Sequence, residues 1–504
     1  MSYVFAILSA LLTIAAFEPL GYHWLAWIAL IPLLVAIQIA KRPFVTGFLW
    51  GVVFFTASLH WIPHIFNTYA LSNHLFGVPA MLLLSAYLAI FPAIFAWGIR
   101  QIVTSNHHSL WTAVQVASLF VALEFLRGTL FTGFPWNLLG YSVLNFDYIS
   151  QVLRVVGVYG LGFIVVFINY TLYVLLVKSF RPNMTYLFLG CGALLGVTVF
   201  YSAWVIGVEE TFEYDSIPVR VVQGNIDQFQ KWDDEYAEAN LERHISLSRH
   251  EDFSSGLLVW PESALPFFFN SDHPGKQRVT RLVRELQSTL ITGALFYESK
   301  EDGTMSYYNS AAVLDAEGQL VDRYDKIHLV PFGEYTPFKE TLLPFVEKFV
   351  MGEDYSSGTQ WRALQTPHGR AGTFICFESI FPELVARVTR EADFLVNITN
   401  DAWFGETWAP YQHLAMARAR AIENGKFLIR NSNSGITAVY DQFGRVVEHI
   451  PLQSSGAFSV DVDIIPRITL FNRYPYLFPV FALLVTVFGA MDSWRGRRRK
   501  KLSL

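Results

Sequence analysis

Two hydrophobic patterns divide the chain. Up to Gly207, and again from Tyr476 to Met491, apolar residues run on with little interruption. Between Ile217 and Ile465 they come in short β-branched runs that alternate with amphipathic stretches and turn residues. A run of about 20 apolar residues is needed to cross roughly 30 Å of hydrocarbon. About seven such runs are read before Gly207, centred near Leu11, Leu33, Val53, Leu88, Leu119, Ile164 and Leu195. Loops carrying Pro, Gly, Asn or His separate them. The run Tyr476 to Met491 brings the expected count to about eight transmembrane helices. No basic residue precedes the first run, which therefore reads as a retained span rather than a cleaved signal peptide.

The middle of the chain reads as a globular α/β domain. Strands are expected at Val219 to Val222, Leu257 to Trp260, Leu290 to Gly293, Ser310 to Leu314, Thr373 to Cys376, Phe394 to Asn397, Leu428 to Asn431 and Ala438 to Asp441. Helices are expected at Asp234 to Arg249, Gln277 to Gln287, Pro382 to Glu391 and Gln412 to Asn424, with hairpin turns at Asp315 to Gly318 and Asp441 to Gly444. The organisation is then a membrane bundle over 1–207, an α/β domain over 208–470, and a last span with a basic tail over 471–504.

Composition agrees with a chain that largely faces lipid: 53% of residues are hydrophobic and 16% charged, with a mean hydropathy of +0.33. The net charge of -5 argues against a nucleic-acid partner. Basic residues sort by side. Lys41, Arg42, Arg100, Lys178 and Arg181 fall on the side of the tail Arg495, Arg497, Arg498, Arg499, Lys500 and Lys501. Of the opposite loops, His64 to Leu75 has no Lys or Arg, and Arg127 to Tyr148 has only Arg127, placed to pair with Glu124 one helical turn back. The positive-inside rule then makes both termini cytoplasmic and sets the α/β domain on the outer side, the periplasm of a bacterial cell.

Two cysteines, Cys191 in an apolar run and Cys376 in the α/β domain, are too differently placed to bridge. Three reactive positions each stand where a β-rich run ends. Glu262 follows Trp260-Pro261, and Pro261, lacking an N–H, stops the strand there. Lys326 lies in Tyr324-Asp325-Lys326-Ile327-His328-Leu329-Val330-Pro331-Phe332-Gly333-Glu334. Cys376 closes Thr373-Phe374-Ile375, before a turn and a helix from about Pro382, a setting that favours the thiolate. Singly, each has a plainer reading: a solvated turn carboxylate, a surface lysine and a buried inert thiol. His328 reads as structural. His60 and His64 have helical spacing, but Pro63 lies between them and no further ligand joins them, so no metal is expected.

Together and in order, Trp260-Pro261-Glu262, Asp325-Lys326 with Pro331-Phe332-Gly333-Glu334, Cys376-Phe377-Glu378, and the loop Asn397-Ile398-Thr399-Asn400-Asp401-Ala402-Trp403-Phe404-Gly405 resemble the carbon-nitrogen hydrolase, or nitrilase, superfamily. The resemblance covers about Ile217 to Ile465 and implies an αββα sandwich with a catalytic Glu262, Lys326 and Cys376. With its flanking spans, and with Gly133-Phe134-Pro135-Trp136-Asn137-Leu138-Leu139-Gly140-Tyr141, the chain resembles the membrane branch of that superfamily, the apolipoprotein N-acyltransferases. That resemblance implies acyl transfer from a phospholipid, typically phosphatidylethanolamine, to the N-terminal amine of a diacylglyceryl apolipoprotein, through a thioester on Cys376 and without a cofactor.

By the same resemblance Glu334 and Glu378 support the lysine and the thiol, and Trp232, in Phe229-Gln230-Lys231-Trp232, matches an aromatic position. Phe377 departs from the family, where a Tyr is familiar. Phe267, Phe268, Phe269, Trp403, Phe404 and Trp408, with the amphipathic stretch Pro337 to Val350 that contains Phe345, are candidates for a lid or apolar access route. Two other readings share these residues: a membrane-tethered amidase with water as acceptor, and a lipoprotein-binding protein that keeps the scaffold without catalysis.

Overall fold

The computed structural model describes residues 1–69, 76–103, 108–177, 184–251, 253–337 and 354–502, without the side chains of residues 69, 232, 234 and 493–502. Lys178, Arg181, Phe345, the side chains of the basic tail and nearly all of the stretch Pro337 to Val350 therefore lie outside the description. The chain forms two compact units, one of Met1–Pro63, Phe76–Thr211 and Tyr474–Leu504, the other of His64–Leu75 and Phe212–Arg473.

The first unit is helical. Among the described residues, four helices are long and apolar enough to cross a membrane: Gly77–Ile102, Leu110–Thr132, Leu153–Val177 and Thr185–Glu209. Pro43–Ser58 with the short helix after it makes up to five, counted as one broken span. Ser2–Ala15, His23–Ile39 and Leu477–Asp492 are shorter apolar helices, at three of the places where spans are expected. Small residues let helices meet closely. A Cβ on Gly47 would lie 2.3 Å from the Pro92 carbonyl oxygen, and one on Gly51 2.7 Å from Ala89 Cα, so Pro43–Ser58 and Gly77–Ile102 touch backbone to backbone.

Polar groups inside this unit satisfy irregular backbone. Asn169 accepts from Leu30 N at 2.9 Å and donates to Ala26 O at 2.7 Å, clamping the turn of 3-10 helix at His23–Trp27. Arg127 donates to the carbonyls of Phe134 and Trp136, both at 2.9 Å, while Glu124 accepts from Leu139 N at 2.8 Å. The expected Arg127–Glu124 pair is present at 3.7 Å. Both members thus fasten the loop that begins at Gly133.

The second unit is built on two six-stranded sheets, ordered β12-β1-β2-β3-β4-β5 and β11-β10-β9-β8-β7-β6. The first contains β1 (Ser216–Gln223), β2 (Leu257–Val259), β3 (Thr289–Ser299), β4 (Met305–Leu314), β5 (Leu320–Asp325) and β12 (Gly456–Asp463). The second contains β6 (Leu364–Thr366), β7 (Gly369–Ile375), β8 (Phe394–Thr399), β9 (Leu428–Ser432), β10 (Thr437–Tyr440) and β11 (Val446–Ile450). In each sheet three central strands run parallel, β1 to β3 and β7 to β9, and the flanking pairs are antiparallel.

Parallel strands need crossovers, and helices Asp234–Ser248, Pro274–Leu286, Pro382–Val388 and Ala409–Asn424 supply them. Every residue of β2, β8 and β9 is buried, as expected for sheets covered on both faces. Leu241, Ile245, Val279, Leu282 and Val283 from two of the helices form one core with Leu258, Leu290 and Ala312 of the first sheet. The other face meets the second sheet, where Asn431 donates to the Val259 carbonyl at 2.7 Å. All eight expected strands are present, but four run longer than expected: β1 starts three residues earlier, β4 five and β7 four, and β3 ends six residues later; both hairpin turns close, Gly318 N on Asp315 O at 2.9 Å and Gly444 N on Asp441 O at 3.0 Å. Two helices begin earlier than expected, because Pro274 and Pro410 sit in their first turns, where a missing N–H costs nothing. Pro382–Val388 ends three residues short of the expected Glu391.

Candidate active site

Glu262, Lys326 and Cys376 stand just past the carboxyl ends of β2, β5 and β7, the rim where open parallel sheets place their chemistry. All three are buried: Glu262 is 5% exposed, Lys326 1% and Cys376 8%. The strand β3 comes up against Glu262 through Gly293, where a Cβ would lie 2.5 Å from Glu262 Cα.

One ammonium and two carboxylates form the polar centre. Lys326 Nζ lies 2.8 Å from Glu334 Oε1 and 3.5 Å from Glu262 Oε1. Asn309, on β4, donates its amide to both carboxylates, at 2.7 Å to Glu262 and 3.0 Å to Glu334, and so fixes their separation. Glu334 also accepts from Val330 N at 2.8 Å, which closes its own loop around the lysine. Burial works against a charged Lys326, but Glu334 and Glu262 outweigh it and hold its pKa above the ordinary lysine value.

Glu378 does different work from Glu334. It accepts from Tyr324 Oη at 2.9 Å, Ile327 N at 2.8 Å, His328 N at 3.1 Å and Ile375 N at 2.7 Å. One carboxylate thereby ties the turn that carries Lys326 to the turn that carries Cys376. Burial pushes its pKa up to about 7, against the backbone N–H groups and Lys326, which pull it down.

Cys376 opens the 3-10 turn Cys376–Ile380 with φ of 51°, a left-handed conformation that costs a non-glycine residue on the order of 1–3 kcal/mol. Its carbonyl is 3.1 Å from His413 Nε2, which also lies 2.7 Å from Ser379 Oγ. Asp401 meets His413 Nδ1 at 2.9 Å and accepts from Arg430 at 2.6 Å. Asp401 is buried, yet Arg430 and His413 hold its pKa down at about 2, and the ion pair fastens the turn that begins at Cys376.

The expectation that this setting favours the thiolate is corrected. Burial, and then the Glu262 charge, push the Cys376 thiol up to about 12, and the opposing pull of Lys326 does not compensate. The turn is too short and too enclosed to act as a helix dipole facing solvent. At rest Cys376 is a thiol.

The lid expectation is corrected in part. Phe267 and Phe269 belong to the core under Trp260, with Phe267 stacked on His273 at 4.3 Å between ring centres and Phe269 tilted against Phe296 at 5.3 Å. Their apolar area is already covered by helix and sheet. Phe268, Trp403, Phe404 and Trp408 are half-buried and leave the access-route expectation open, Phe268 lying against Tyr297 and Tyr307. Phe345 lies outside the described residues, as does the Trp232 side chain, whose backbone closes the 3-10 turn Gln230–Trp232. His328 packs on Phe381 at 3.9 Å, the structural role expected of it.

Two polar residues of the centre escape sequence reading. Asn309 sits inside a strand whose pattern speaks only of core, and nothing marks it. Lys231 neighbours Trp232 in the same tetrapeptide, yet it is Lys231 that donates Nζ–H to the Glu262 carbonyl at 2.8 Å. Among the described residues no group of three or more His, Cys, Asp or Glu is placed to hold a metal ion.

The profile of the family Carbon-nitrogen hydrolase matches residues 218–465, and that of the Apolipoprotein N-acyltransferase N-terminal domain matches residues 9–171. A protein described as apolipoprotein N-acyltransferase in Geobacter metallireducens is 37% identical, over 99% of this chain and 96% of its own length. This chain belongs to the apolipoprotein N-acyltransferase family. A relative of the same description in Rhizobium leguminosarum is 34% identical over 90% of this chain and 86% of its own. Among solved structures, the nitrilase-superfamily protein Nit3 of Saccharomyces cerevisiae aligns with 21% identity and a TM-score of 0.38, over 49% of this chain and 90% of its own.

Proposed function

We propose that this protein transfers a fatty acyl chain from a phospholipid, with phosphatidylethanolamine as the donor, to the N-terminal α-amine of an S-diacylglyceryl-cysteine apolipoprotein, by a two-step reaction through a thioester on Cys376. The observation that carries the reading is the buried grouping of Glu262, Lys326, Glu334 and Asn309 with Cys376 at adjoining strand ends, in a chain of apolar helices.

A thiol with a pKa of about 12 leaves only about one part in 10⁵ as thiolate at pH 7, so attack needs a base at the moment it occurs. Glu262 takes the thiol proton as sulfur bonds to the ester carbonyl carbon. Lys326 faces the oxyanion, and collapse expels the lysophospholipid alkoxide, which receives the proton back from Glu262. In the second step the lipoprotein amine, in its neutral form, attacks the thioester. Glu262 removes a proton from the nitrogen and returns it to the departing sulfur, restoring the thiol. Phe377 supplies no hydroxyl, so none is needed beside the nucleophile.

The same reading sets the protein in the bacterial inner membrane with eight crossings, about seven before residue 208 and one after residue 470. Residues 208–470 then form the catalytic domain in the periplasm, with both termini cytoplasmic. The sorting of Lys and Arg among the loops and in the tail supports it. The deciding experiment incubates the full-length protein with labelled phosphatidylethanolamine, withholds the acceptor, and looks by mass for an acyl group on Cys376. An adduct that moves to an added diacylglyceryl peptide is expected. Absence of the adduct, or release of free fatty acid alone, overturns the reading, the latter in favour of a hydrolase.

A further inference from the structure

Lys231 is a second buried ammonium in the centre, and no step above uses it. It is 4% exposed, on the 3-10 turn Gln230–Trp232, and that turn is held by the Asn240 side chain, which donates to Gln230 O at 2.9 Å. Its Nζ donates to the main-chain oxygen of Glu262 at 2.8 Å, and its charge interacts with both the Glu262 carboxylate and the Cys376 sulfur. Removing an ammonium from water is costly unless negative charge answers it. A methionine would fill the same space without that cost, but it would leave the Glu262 carbonyl without this donor and would carry no charge.

The bookkeeping of charge at the reacting atoms gives the explanation. Lys326 is already shared by Glu334 at 2.8 Å and Glu262 at 3.5 Å. Once Glu262 has taken the thiol proton, Glu334 and the new oxyanion would depend on that one ammonium. A second cation makes the count two against two. His244, the buried titratable group behind Lys231, cannot supply it: burial, with Lys231 and Arg243 nearby, holds its pKa down at about 4, so it is neutral. We propose that Lys231 is a positioning residue of the acyl-transfer centre, fixing the Glu262 main chain and balancing the negative charge that develops at Cys376. The proposal rests on the function given above.

Burial lowers the Lys231 pKa to about 8, against the pull of Glu262 and Cys376. Its charge is therefore present at pH 7 and lost as pH rises through about 8. The test uses full-length protein and two substitutions, Lys231→Met and Lys231→Arg. Alkylation of Cys376 by iodoacetamide is followed by peptide mass from pH 6.5 to about 10, and thioester formation is measured alongside. Loss of a charge that acts on Cys376 moves a thiol by about one unit, so K231M should alkylate about tenfold more slowly at pH 7 and converge with the wild type above about pH 9. K231R should keep the wild-type rate at pH 7 and carry it past pH 9 without the wild type's alkaline break.

A merely structural role gives the opposite sign, because a loosened turn exposes the thiol and speeds alkylation. K231M reacting as fast as the wild type or faster at pH 7 overturns the proposal. Should K231M fail to fold, K231R decides, and a break that stays near pH 8 is the adverse result. Alkylation needs no lipid. If the wild type forms no thioester, the function fails, while the alkylation profiles still decide Lys231.

Discussion

Replacing Glu262 by Gln separates two effects that one carboxylate exerts in opposite directions. As a charge, Glu262 is the main cause after burial of the high thiol pKa. In the proposed mechanism it is also the base, taking the proton that such a thiol does not shed. Glutamine keeps the shape and an oxygen able to accept from Asn309, now 2.7 Å from Glu262 Oε1. The shell should survive, and the protein should unfold within a few degrees of the wild type. Removing one negative charge within 4–6 Å lowers a thiol pKa by about one unit, so alkylation of Cys376 between pH 8 and 10, where free thiolate carries the reaction, should rise up to about tenfold. Acyl transfer should fall by about 10²- to 10⁴-fold, the usual worth of a positioned base. The assay pairs iodoacetamide labelling with single-turnover thioester formation on one preparation. Two results refute the reasoning: thioester formation within about tenfold of the wild type, or alkylation that slows across the alkaline range.

Lys326→Ala removes the proposed partner of the oxyanion and should cut turnover by at least about 10²- to 10³-fold. It also strips the cation from the buried Glu262 and the half-buried Glu334, so a lowered Tm by thermal denaturation is expected with it. Glu378→Gln sets an amide donor among four donors, Tyr324 Oη and three backbone N–H groups. At about 1.5–3 kcal/mol for each charged hydrogen bond, denaturant titration should find at least one bond's worth of destabilisation, and unchanged stability with full activity would remove Glu378 from its tying role.

What the sequence foretold and what it hid follow from position in the sheets. The eight strands read in advance are all inner ones, whose apolar, β-branched runs record their burial. The four not read, β5, β6, β11 and β12, are the outer strands of the two sheets. Val446, Val447, Glu448 and His449 of β11 are exposed, and β12 alternates only loosely, so neither carries the pattern that marks a strand. At the site, Glu262, Lys326 and Cys376 were legible because each ends a run and has distinctive neighbours. Lys231 and Asn309 were not, because a hydrogen bond to a distant carbonyl or carboxylate leaves no trace in local spacing. The thiolate expectation failed for the same reason: local sequence shows the turn beside Cys376, while the burial and the Glu262 charge that decide its ionisation come from other strands. Phe267 and Phe269 look alike as access-route or core residues in one dimension, and only the helix packed over them separates the two.

The raised thiol pKa of Cys376 has a consequence beyond acyl transfer. Peroxide, disulfides and stray electrophiles react with thiolates, and susceptibility follows thiolate content and exposure. A sulfur that is 8% exposed and rests as a thiol is a poor target for all of them. The enzyme would thus tolerate oxidising surroundings without a reductant to regenerate it, its nucleophile guarded by the same desolvation that makes a base necessary.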